Sequence, residues 1–105
     1  MHIFFDFLVM RDPMQKKRGD DLLKNLDSRI ALTHYNRNLA HGVGINLIVD
    51  LLMGAREDTY DHAIIVSIDQ DLATAIDFIQ HRLKKTVTMI SNLDDLINIT
   101  HIYLY

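Results

Sequence analysis

The sequence predicts an α/β domain with a mostly parallel β-sheet covered by helices. Three observations carry that expectation. Short apolar runs of strand length alternate with amphipathic runs of helix length, the connections between them are short, and the runs at His2–Met10 and Ala63–Ile68 are apolar on both faces. Strands of that kind suit a parallel sheet, because its crossover helices cover both sides. At 105 residues, with 49% hydrophobic and 24% charged, the chain has room for one domain, residues 1–105.

The elements follow in order. His2 to Met10 is the first strand, with Asp6 its one polar anomaly. After Asp12-Pro13, Leu22, Leu23 and Leu26 fall at helical spacing and leave Lys16, Lys17, Arg18, Asp20 and Asp21 for solvent, so residues 15–27 read as a helix. Ile30 to His34 is a short second strand. Ile45 to Met53, INLIVDLLM, is a buried helix that Gly54 is placed to end. AIIVSI at 63–68 is the clearest strand. Leu72, Ala75, Ile76, Ile79 and Leu83 then step along one helix face, Lys84-Lys85 closes it, and TVTMI at 86–90 is the last strand. Leu93, Leu96 and Ile97 mark a short final helix before ITHIYLY.

Composition excludes several classes of function. Without cysteine the chain has no disulfide, thiolate nucleophile or thiolate zinc site, and a cytoplasmic location is the default. A net charge of −3 argues against holding nucleic acid by bulk positive charge, so any polyanion must meet a local device. Asp6, Asp50 and Asp69 interrupt the most hydrophobic stretches, no run reaches the roughly 20 residues of a membrane span, and the opening residues lack a signal-peptide pattern.

The chemistry concentrates at Asp69 and Asp71, which follow the clearest strand and precede a helix. In an open parallel sheet, the side chains that meet ligand sit beyond the carboxyl ends of the strands. Carboxylates crowded at such an edge repel unless they share a cation, and hard oxygen donors suit Mg²⁺ or Mn²⁺, which can activate water for attack on phosphorus. Asp50 joins the candidates, because a carboxylate inside INLIVDLLM needs an electrostatic reason to be there. The plainer readings are a helix cap for Asp71, a turn for Asp69 and a solvent-edge position for Asp50.

The stretch from Gly44 to Ile90, with Val49-Asp50-Leu51-Leu52 and Val66-Ser67-Ile68-Asp69-Gln70-Asp71-Leu72, resembles the core of the NYN domain. The match is to the LabA-like (DUF88) branch of the PIN-like nuclease superfamily. Gln15 to Leu26 resembles that family's helix between its second and third strands. The resemblance implies a Rossmann-like, three-layer PIN-like fold and a ribonuclease that uses Mg²⁺ or Mn²⁺ on single-stranded RNA. Asp50, Asp69 and Asp71 would be its metal and catalytic carboxylates, with Ser67 a polar neighbour.

The chain also departs from the family pattern. Ile68 replaces a small Gly beside the active edge, and His41 and Gly44 stand where the family often has Lys and Asp. If residues 1–10 match the family's second strand, its opening strand-helix unit is absent, and the chain is a truncated relative. Two arrangements follow. Either HIFFDFLV fills the central slot and Asp6 stands in as a metal ligand, or the sheet closes without that strand and an exposed edge pairs with another copy as a homodimer. The second arrangement carries the alternative function, a non-catalytic, self-associating interaction module. A response-regulator-like phosphate domain lacks its ordered Asp and Lys. Among other residues, Lys16-Lys17-Arg18 and Arg82 with Lys84-Lys85 are candidate phosphate contacts, the four tyrosines are candidate base stackers, and the six histidines read as surface or loop residues.

Overall fold

The computed structural model describes residues 1–6, 9–10, 12–26, 29–35 and 43–103, apart from the side chains of 43–44 and 100–103. His41, Gly42 and the side chains of residues 100–105 in the ITHIYLY tail, all singled out in the sequence, lie outside the described set.

Four strands and four helices alternate: β1 (His2–Asp6), α1 (Pro13–Lys24), β2 (Ala31–Tyr35), α2 (Val43–Arg56), β3 (His62–Val66), α3 (Ala73–Arg82), β4 (Thr86–Ile90) and α4 (Leu93–Tyr103). A 3₁₀ turn, Gln70–Leu72, leads into α3. The strands form one all-parallel sheet in the order β2-β1-β3-β4.

Alternation of side chains along each strand splits the core into two layers. Phe4, Tyr35, Ala63, Ile65 and Val87 pack against Leu47, Leu51 and Ala55 of α2 and Ile79 of α3. Ile3, Phe5, Ile64, Val66 and Ile90 pack on the opposite face with Leu93 and Leu96 of α4, and Leu22 and Leu23 of α1 lie against them. The result is the expected three-layer α/β sandwich. Ile64 and Ile65 are wholly buried on opposite faces of one strand, which explains why AIIVSI lacks any polar alternation. Among the described residues no helix is long and apolar enough to cross a membrane.

β1 fills the central slot. It pairs with β2 on one side, from His2↔Ala31 to Asp6↔Tyr35, and with β3 on the other, from His2↔Ala63 to Phe5↔Val66. The gap that would have left buried edges unpaired is therefore absent, and with it that argument for a homodimer. β1 also ends at Asp6 rather than Met10. Val9 and Met10 instead turn into the α1/α4 layer, where the Met10 thioether lies against Gly19.

Local chemistry sets the other boundaries. Asp12 caps α1 by accepting from the Gln15 amide at 2.8 Å, and Pro13 opens the helix, so α1 begins before residue 15. Gly54 does not end α2, which continues to Arg56. A Cβ there would stand 2.8 Å from the Tyr60 ring and 2.9 Å from the Thr59 hydroxyl, so the glycine gives the ring room.

Candidate functional site

The chain leaves β1 for β2 by way of α1 on one face, then returns across β1 to β3 by way of α2 on the other. The direction of winding reverses between β1 and β3. Side chains beyond the carboxyl ends of those two strands therefore line the crevice where open α/β sheets bind ligands. Asp6 ends β1, and Ser67 to Asp71 follow β3.

Ser67 links Asp6 to the backbone of Asp69. The buried Ser67 hydroxyl donates to Asp6 Oδ2 at 3.1 Å, and Ser67 Oγ accepts from the Asp69 backbone amide at 3.1 Å. Asp6 is fully buried and Asp69 partly so. The Ser67 backbone is held in turn by its amide bond to the Ile90 carbonyl at 3.0 Å, which carries β3 pairing one residue past the strand. Asp69 Oδ1 accepts the Asp71 amide at 2.9 Å and so caps the 3₁₀ turn. Asp71 does not cap the following helix: α3 has Leu72 at its N-cap with no side-chain bond.

Asp50 stands elsewhere. Its Oδ2 accepts from the Tyr35 hydroxyl at 2.7 Å, over the edge strand β2. Ile48 and Leu52 of the same helix line a groove with Asp71. Asp50 lies about 200° round the helix from Ile48, so α2 separates the carboxylates of Asp50 and Asp71. Burial, and then the bond to Asp50, push the Tyr35 phenol well above the ordinary tyrosine range. Asp50 itself is exposed, at the solvent edge of α2, and the Tyr35 hydroxyl is its bonded partner there. Tyr35 was not legible as its partner, because the contact joins a strand end to the middle of a helix with no local spacing signal.

Among the described residues, no three carboxylates or imidazoles gather closely enough to hold a metal ion. Asp50, Asp69 and Asp71 are thus not assembled into one cluster. What Ser67 joins is the Asp6 carboxylate and the Asp69 backbone amide, which puts both residues at one rim of the sheet. As hard oxygen donors, carboxylates at such a rim would suit Mg²⁺ or Mn²⁺ completed by water and substrate phosphate, not a closed protein cage.

Other candidate residues have structural tasks. Arg18 pairs with Asp94 at 2.8 Å, and Lys85 bridges Asp58 and Asp61 at the entry to β3. Tyr35 and Tyr60 are buried, which removes them as base-stacking platforms. Two histidines are not surface residues: His2 bonds Thr33 at 2.7 Å and His62 bonds Thr88 at 2.8 Å, each at the start of a strand. Burial, then the nearby amino terminus, lowers the pKa of both, while the Asp50 charge works against this at His2. Ile68, the residue after Ser67, is 37% exposed.

No curated protein and no solved structure matches the chain. A family model, the NYN domain, matches residues 7–104. The match takes in β2, β3, β4 and all four helices, and on it the chain belongs to the NYN domain family.

Proposed function

We propose that this NYN domain is a nuclease-like domain that acts on single-stranded RNA with Mg²⁺ or Mn²⁺ at the rim formed by Asp6 and Asp69. The observation that supports this reading is the link Ser67 makes at the β1/β3 crossover between the buried Asp6 carboxylate and the Asp69 backbone amide, which holds both acidic residues at the carboxyl rim. A divalent cation bound there would polarise a phosphoryl oxygen and lower the pKa of bound water for hydrolysis without a covalent intermediate.

The chain's own residues supply the positioning. Ser67 ties the end of β1 to the turn after β3, and the cap from Asp69 to the Asp71 amide fixes how that turn enters α3. Asp69 is the more accessible carboxylate and faces substrate; Asp6 lies behind it. Asp71 adds its charge beside them while its side chain opens toward the α2/α3 groove.

Cleavage of a fluorescent single-stranded RNA with Mn²⁺, and with chelator, tests the proposal. Wild type should cleave only with the metal, and Asp69→Asn should lose about 100-fold or more in rate at unchanged circular dichroism. Undiminished cleavage by Asp69→Asn overturns it.

A second reading, a non-catalytic interaction module that keeps the fold, draws support from the bonds already made by Asp50 to Tyr35 and by Asp69 to the turn. Under that reading wild type neither cleaves RNA nor takes up Mn²⁺ in a calorimetric titration.

A further inference from the structure

Between α2 and α3 the surface is hollowed on both sides of Phe78. One hollow, of about 410 Å³, runs past Ile48 to Asp71; the other, of about 400 Å³, runs past Met53 to Arg56; Leu52 and Phe78 wall both. The apolar surface continues onto the outer face of α2. There Ile45, Val49 and Met53 recur every fourth residue and are 70%, 50% and 47% exposed, beside Phe78 at 48%. A contiguous apolar strip of this kind marks a surface that another molecule covers.

The two ends of the groove carry opposite charge. α2 and α3 each follow a strand of the parallel sheet, so both begin at the carboxyl rim. Asp71, just before α3, therefore sits at the rim end, and Arg56, the last residue of α2, at the far end. Among the described residues neither charge meets an opposite one. A half-turn about an axis that lies in the surface and crosses the groove at Leu52 and Phe78 brings a second copy face to face with the first and exchanges the groove's ends. Under that operation Asp71 of each copy faces the partner's Arg56, and the two Phe78 rings meet near the axis. Such self-complementarity is what a closed two-fold interface requires, and a protruding aromatic flanked by hollows suits its centre.

We propose that the chain pairs with a second copy of itself through the α2/α3 groove, with Phe78 at the two-fold axis and Arg56 paired to Asp71 at both ends. This interface needs no unpaired sheet edge; it shares Asp71 with the proposed nuclease rim but does not depend on metal or RNA binding there.

Sedimentation velocity over about a hundredfold range of concentration tests it on the full chain. Wild type should pass from monomer to dimer. Phe78→Glu should weaken the dimer by about 30-fold or more. Arg56→Asp sets acid against acid at both ends and should weaken it by about tenfold, while the exchanged pair Arg56→Asp/Asp71→Arg should recover most of that loss. If Phe78→Glu fails to fold by circular dichroism, Val49→Lys on the exposed face of α2 makes the same test. A wild type that stays monomeric overturns the proposal and leaves the groove to a different occupant. A dimer indifferent to Phe78→Glu, or an exchanged pair no tighter than Arg56→Asp, overturns it as well.

Discussion

Asp6 and Ser67, 61 positions apart in the chain, are joined by a 3.1 Å hydrogen bond from the serine hydroxyl to the fully buried carboxylate. The bond closes the crevice between the central strands β1 and β3 at the end where the proposed chemistry lies. A buried carboxylate needs donors, and removing one leaves a lone pair facing a space that water does not fill freely. Ser67→Ala should therefore destabilise the domain by about 1–3 kcal/mol in urea unfolding. A loss within the scatter of surface substitutions would show that the hydroxyl does not support Asp6.

Gly54→Ala sets two effects against each other. Alanine in a helix interior is favoured over glycine by up to about 1 kcal/mol. The added Cβ, however, would stand 2.8 Å from the Tyr60 ring. That ring is buried, and its hydroxyl donates to the Leu51 carbonyl at 2.6 Å, so it has little freedom to yield. Overpacking of this kind costs about 1–3 kcal/mol, and the clash should win. A lowered unfolding midpoint is the expected result; a raised one would mean that Tyr60 swings aside.

Two buried phenols make stability depend on alkaline pH. Burial pushes Tyr60 from 10.0 up to about 12, and burial together with Asp50 raises Tyr35 further. Below pH 10 both folded and unfolded chains keep these protons. Above it the unfolded chain releases protons that the folded chain holds, so stability falls as pH rises from 10 toward 12. Tyr60→Phe should flatten the decline in a series of unfolding curves. An equal slope in wild type and variant would remove Tyr60 as its source.

Much of the fold was legible. The unbroken apolar run at β3 and the stepped apolar face of α3 leave little choice of element, and the alternation of strand with helix dictates parallel pairing. The end of β1 was not legible. Phe7 to Met10 continue the apolar pattern, but Val9 and Met10 serve the core layer under α1 and α4 without extending the strand. Periodicity does not separate those two kinds of burial.

The candidate site was legible in part. Ser67 and Asp69 follow the clearest strand, where position alone draws attention to them, whereas Asp6 read as an anomaly inside a strand that in fact ends at it. Asp50 was open for a physical reason: an acid in an apolar helix draws attention, and the sequence does not say whether it meets an ion, a hydroxyl such as that of Tyr35, or solvent. Likewise Gly54 looked like a helix stop because nothing local reveals that Tyr60 packs against it.

The central claim is that Asp6 and Asp69 form a divalent-cation site at the β1/β3 crossover, and Mn²⁺ paramagnetic broadening of the backbone amide spectrum tests it most directly. At substoichiometric Mn²⁺ the account predicts that the amides of Ser67, Ile68 and Asp69 broaden first, and that Asp69→Asn abolishes this selectivity. Broadening that begins around Asp50 and Tyr35, or spreads evenly over the exposed acidic residues, would contradict it.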